Sequence, residues 1–208
     1  MRVSGRVACE KFPCTDVRPA AYAIPSLDLQ PAAIWMVMVS EAAAPDPADN
    51  YYARGSPLFQ QTTVRAFNDA GVAVSSVREL AGLGIYLTTA VKCGKANAGL
   101  QPSTIEACSR LLEIELDLFP HARALMLMGD VAIRALNAIA RRAGEPRVIP
   151  AQATYKLRGQ AFYFRGMRVF PSYLQAGPAF FIEKSKRRMI AEDIAAAMRL
   201  MPGTQKEV

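Results

Sequence analysis

Histidine is nearly absent: among 208 residues only His121 carries an imidazole. Imidazole is the side chain whose ordinary pKa best suits proton transfer near neutrality, so chemistry built on paired histidines is excluded. Long apolar runs are also lacking. The two longest, AAIWMVMV (32–39) and ALMLM (124–128), fall well short of the roughly 20 residues that cross a bilayer as a helix, so no membrane partner is expected. The opening MRVSGRVACEKFPC has no apolar segment and no small-residue cleavage site, which argues against a secretory leader and for a cytoplasmic location. The four cysteines are then free thiols or metal ligands rather than disulfides. Acidic residues are the minority: 18 against 25 lysines and arginines, giving a net charge of +7 and a pI near 9.4. That balance favours an anionic partner such as nucleic acid.

What is present reads as one α/β domain over residues 1–208, with residues 1–31 as an extended lead-in carrying Cys9, Cys14 and the prolines 13, 19, 25 and 31. Residues 34–39 form a continuous apolar run, the pattern of a strand covered on both faces. A long loop, SEAAAPDPADNYYARGSP (40–57), leads to a helix over 58–70, with Phe59, Val64 and Phe67 at helical spacing and Gly71 as its stop. A second strand over 85–89 enters the loop 90–102. Ser103 and Glu106 suggest a capping box, and Ile105, Cys108, Leu112, Leu116 and Phe119 share one helical face up to Pro120. The remaining elements are a strand over 124–128, a helix over 131–143, a hairpin of 162–164 with 167–170, and a helix over 180–200. Strands alternating with helices imply a doubly wound sheet. The loops 40–57, 90–102, 129–130 and 171–178 then gather at the carboxyl edge, where such sheets bind ligands. His121 precedes its strand and belongs to the opposite edge.

Those loops carry motifs in a particular order: SEAAAP (40–45), YLTTAVKC (86–93), EACSRLL (106–112), LMLMGDVA (125–132) and FPSYL (170–174). Over about 34–200 the chain resembles the uracil-DNA glycosylase superfamily, and is most similar to its iron–sulfur members. The resemblance implies a three-layer α/β/α sandwich on a central four-stranded parallel sheet. It implies a monomeric DNA repair glycosylase that hydrolyses the N-glycosidic bond of uracil or another deaminated or damaged base. It also implies a 4Fe-4S cluster on Cys9, Cys14, Cys93 and Cys108, although four residues separate Cys9 from Cys14 where the family usually has two. Zinc on four thiolates is the alternative, and a small buried hydrophobe is the simpler reading of Cys108.

Base excision passes through an oxocarbenium-like sugar and needs a group that positions water and a donor near the departing base. On the family pattern Glu41 positions water, an aromatic after the turn at Gly55-Ser56-Pro57 stacks on the base, and a strand-end Asn reads it. Here Leu58 occupies the aromatic place with Phe59 one step later. Thr89 replaces the Asn, and Phe170 replaces the histidine of the wedge loop, leaving Ser172 and Tyr173 to fill and grip. Thr89 lacks the two-sided amide contact, and Ser172, Thr89 or Asn50 must replace the missing donor. The substitutions keep a second reading open, a DNA-damage or single-strand DNA-binding protein that has lost turnover. An iron–sulfur redox protein is disfavoured by the wide cysteine spacing. Two basic features have two readings each: Lys184, Lys186, Arg187 and Arg188 in the early turns of the last helix suit an anion or are solvated surface, and Lys156, Arg158, Arg165 and Arg168, interleaved with Tyr155, Phe162, Tyr163 and Phe164, track a backbone or, more simply, belong to a hairpin that packs its aromatics inward.

Overall fold

The computed structural model describes residues 1–203. Its strands are β1 (Val17–Tyr22), β2 (Met36–Ala43), β3 (Ile85–Lys95), β4 (Ala124–Met128), β5 (Phe162–Phe164) and β6 (Met167–Ser172). The helices are α1 (Leu58–Asp69), α2 (Val77–Gly82), α3 (Pro102–Leu116), α4 (Asp130–Arg142), α5 (Thr154–Leu157), α6 (Ala179–Ile182) and α7 (Lys184–Met198). Among the described residues no helix is long and apolar enough to cross a membrane.

The strands form one sheet in the order β1-β3-β2-β4-β6-β5. The middle four, β3-β2-β4-β6, are parallel, and β1 and β5 add antiparallel edges. The four-stranded parallel sheet implied by the resemblance is therefore present but enlarged to six strands. Successive side chains point to opposite faces, so the apolar runs of β2 and β4 divide between two cores. Val37, Val39, Leu125 and Leu127 meet α3 and α4 on one side. Met36, Met38, Met126 and Met128 meet α1, α2, α6 and α7 on the other. Both faces are covered, which makes the three layers.

Four local expectations are corrected. The second strand does not end at 89: it runs to Lys95, because β1, folded from the proline-bearing lead-in, supplies hydrogen-bond partners to residues 93–95. Ser103 and Glu106 do not make a capping box. Gln101 is the cap residue with Pro102 at the first helical position, and Glu106 is taken by Arg141 and Arg142 of α4. The last helix is two, α6 and α7, separated at Glu183. The hairpin's second strand continues through Pro171 to Ser172.

Candidate active site

Glu41 lies near the end of β2, which runs on past the apolar run to Ala43, and directly follows Ser40, which pairs with Thr89 across to β3. Its carboxylate receives the Lys95 ammonium at 2.7 Å, with the two side chains 16% and 27% exposed. It lines a cavity of about 340 Å³ with Ser172, Tyr173 and Lys186. The turn from β4 into α4 passes directly beneath: Gly129 has φ +99°, and a Cβ there would lie 2.6 Å from the Glu41 Oε1. Glycine is required at that point by conformation and by space together. Ser172 is fully buried, and its hydroxyl donates to Asp193 of α7 at 2.6 Å. Burial pushes the Asp193 carboxyl up despite the hydrogen bonds from Ser172 and Arg158. Tyr173 sits beneath the Lys186 ammonium, 5.6 Å from its ring centre.

Thr89 opens onto a second cavity of about 410 Å³, walled by Tyr22, Tyr51, Tyr52, Asn50 and Thr88. The Thr89 hydroxyl is turned inward, donating to the Val91 carbonyl at 2.9 Å. Asn50 is engaged at both ends of its amide, by the Ala44 N–H and the Pro47 carbonyl. Tyr51 is anchored in a buried polar cluster: its hydroxyl meets Ser40 and receives the Gln175 amide at 2.8 Å. Burial pushes the Tyr51 phenol up to about 12. The Tyr52 hydroxyl accepts the Leu87 N–H at 3.1 Å. Tyr51, Tyr52 and Gln175 had no assigned role in the sequence. The adjacent tyrosines inside a loop were the one available signal, and Gln175 offered none.

Leu58 and Phe59 are not brought to either cavity. Leu58 begins α1 with its N–H on Asp49, and Phe59 is core, its ring 5.3 Å from that of Tyr51. Phe170 pairs with Met126 inside the sheet and is buried under α7, with the Arg168 guanidinium 4.8 Å from its ring. It stands two residues before the strand end, so the carboxyl edge is reached by Ser172 and Tyr173 instead. The basic start of α7 is partly neutralised: Arg187 holds Asp69 at 2.9 Å and Lys186 pairs with Glu183.

The four cysteines, all free, come from the lead-in, the end of β3 and the first half of α3. Cys93 is paired in register with Tyr22, whose hydroxyl accepts the Cys9 N–H at 3.0 Å. The Cys108 sulfur accepts the Lys92 N–H at 3.2 Å. The Cys93 thiol is pushed up to about 12, first by burial and then by the charges of Cys108, Cys9 and Cys14. Among the described residues no three His, Cys, Asp or Glu side chains surround a single-ion position.

No family model matches the chain. A type-5 uracil-DNA glycosylase of Thermus thermophilus is 40% identical over 55 residues, or 26% of this chain and 25% of the relative's length. The chain therefore matches about a quarter of that enzyme. Among solved structures, the wild-type UNG crystal structure from Nitratifractor salsuginis covers 83% of this chain and 80% of its own, at 15% identity and a TM-score of 0.43. That likeness is too slight to add weight. The local match to a type-5 enzyme bears out what the motif order carries, a resemblance of this chain to the uracil-DNA glycosylase superfamily.

Proposed function

We propose that the chain is a DNA glycosylase hydrolysing the N-glycosidic bond of uracil or another deaminated or damaged base. The observation that carries the reading is Glu41: a carboxylate held by Lys95 at the carboxyl edge, in a cavity with Tyr173, and next in sequence to Ser40, which pairs with Thr89 of the tyrosine-walled pocket. A flipped base placed between Tyr22 and Tyr52 would be held by ring contact. Glu41 would orient the water whose oxygen bonds to the sugar C1′, and its negative charge would stabilise the cationic sugar as the base departs with a proton. Lys186 and Lys184, at the start of α7, suit the phosphates of the same strand. Ser172 serves this site by fixing the end of β6 to α7, because its hydroxyl is given to Asp193.

The reading is tested on oligonucleotides that each carry one lesion (uracil, hypoxanthine or xanthine), scored by alkali cleavage. Cleavage of at least one is expected, reduced about 100-fold or more in Glu41→Gln with lesion-DNA affinity nearly intact. A wild-type protein that cleaves none of them but binds lesion DNA tightly would instead establish the binding-protein reading. One observation favours that rival: the Thr89 and Asn50 side chains are both consumed inside the protein.

The donor set of Cys9, Cys14, Cys93 and Cys108 suits a 4Fe-4S cluster. Tetrahedral zinc needs every sulfur about 2.3 Å from one point, whereas a cubane takes each thiolate on a different iron. The Lys92 N–H aimed at the Cys108 sulfur would stabilise thiolate charge. Bound there, a cluster would staple the lead-in to β3 and α3 and keep Tyr22 on the pocket wall. Anaerobically purified protein is expected to hold about four irons per chain and to absorb broadly in the visible; stoichiometric zinc without iron would replace this assignment.

A further inference from the structure

At the amino edge of the sheet, opposite the candidate active site, lies an open groove of about 640 Å³. Arg123, immediately before β4, Arg168 near the start of β6, and Arg199, directly after α7, all line it, with Arg158, Glu192 and Asp193. The charges do not cancel. Arg158 takes both carboxylates, at 2.8 Å and 2.9 Å. Arg168 gives its N–H groups to the carbonyls of Gln160, Phe162 and Val169, so its charge has hydrogen bonds but no counter-ion. Arg123 and Arg199 are exposed, and among the described residues neither has a hydrogen bond or ion pair through its side chain. Three guanidinium groups without a carboxylate thus face one groove.

The groove also offers a ring. Tyr163 is 65% exposed, which leaves its ring open to a ligand. The Arg168 guanidinium lies 5.6 Å from its ring centre, which adds positive charge beside a stacking surface. Guanidinium groups match phosphate oxygens in shape and charge, and an aromatic beside them is the combination that takes a nucleobase. We propose that this groove binds a nucleotide unit, its phosphate on Arg123 and Arg199 and its base on Tyr163. The chemistry is the same whether the unit is free or part of a strand, and the site is independent of the glycosylase reading.

The test is calorimetric titration of the full chain with dAMP, with inorganic phosphate and with a short single-stranded oligonucleotide. Saturable dAMP binding is expected, weakened at least about tenfold in the Arg123→Gln/Arg199→Gln variant. The double variant Arg78→Gln/Arg110→Gln, which removes equal charge from exposed positions elsewhere, should bind as wild type. Tyr163→Leu should weaken dAMP about tenfold and leave phosphate unchanged. An oligonucleotide that competes with dAMP and binds more tightly identifies a strand site; weaker oligonucleotide binding identifies a free nucleotide. The proposal is overturned if dAMP does not bind, if both double variants weaken it equally, or if inorganic phosphate binds as tightly as dAMP.

Discussion

Strand β3 carries two lysine–glutamate pairs three residues apart, and they face opposite demands. Lys92 and Glu115 are both fully buried, and nothing reaches them from solvent. Lys95 and Glu41 form the same kind of pair at the cavity mouth, each partly exposed. Around Glu115 every oxygen is served: Tyr86 donates to Oε1, Thr88 lies 2.9 Å and 3.0 Å from the two oxygens, and the Lys92 ammonium also reaches Thr88 and the Thr89 carbonyl. A buried pair survives only with such complete partnering. Among the described residues Glu41 has just its lysine and the glycine turn, and its side chain stays partly exposed to water. Complete partnering identifies a structural pair, and incomplete partnering beside a cavity identifies a group free to act.

The largest effect should come from breaking the closed pair. Lys92→Met leaves the Glu115 charge buried among hydroxyls and is expected to cost about 3–5 kcal/mol of stability, read as a lowered urea midpoint at unchanged slope. Lys95→Met, the matching change at the cavity mouth, should cost no more than about 1 kcal/mol while lowering lesion cleavage, because Glu41 loses the group that holds it. Equal destabilisation by the two variants would erase the distinction between the pairs.

The contrast also explains what the sequence could reveal. The runs 34–39 and 124–128 announce strands buried on both faces because alternating side chains enter two different cores. Glu41 and Gly129 are legible because Gly129 directly follows one such run and Glu41 stands two residues past the other, where topology delivers them to the working edge. The continuation of β3 is not legible: Val91 and Gly94 pair with the end of β2 and residues 93–95 with β1, through backbone hydrogen bonds that leave no mark on side-chain pattern. Arg187 resembles a free phosphate ligand until Asp69, 118 positions earlier, is found beside it. Phe170 matches a motif position but also reads as the last buried residue of the strand 167–170, and the register with Met126 and the continuation of β6 to Ser172 bear out the strand reading.

A smaller and more selective effect separates position from charge at Glu41. Gly129 has φ +99° and ψ 167°, a conformation almost confined to glycine, so Gly129→Ala should cost about 1–3 kcal/mol through backbone strain. Its new methyl would also stand 2.6 Å from the Glu41 Oε1 and 2.9 Å from Cγ, closer than carbon and oxygen can approach, so the carboxylate must swing away. Gly144→Ala is the control: its φ is +72°, with open space where the methyl would go. It should lose about 1 kcal/mol and keep full cleavage per folded molecule. If Glu41 acts from its observed place, Gly129→Ala alone should lose cleavage beyond its loss of stability, with the Lys95 contact intact in sequence but displaced in space. Equal activity per folded molecule in the two alanine variants would mean that the position of Glu41 does not matter, and with it the assignment of the cavity as the place where water is held.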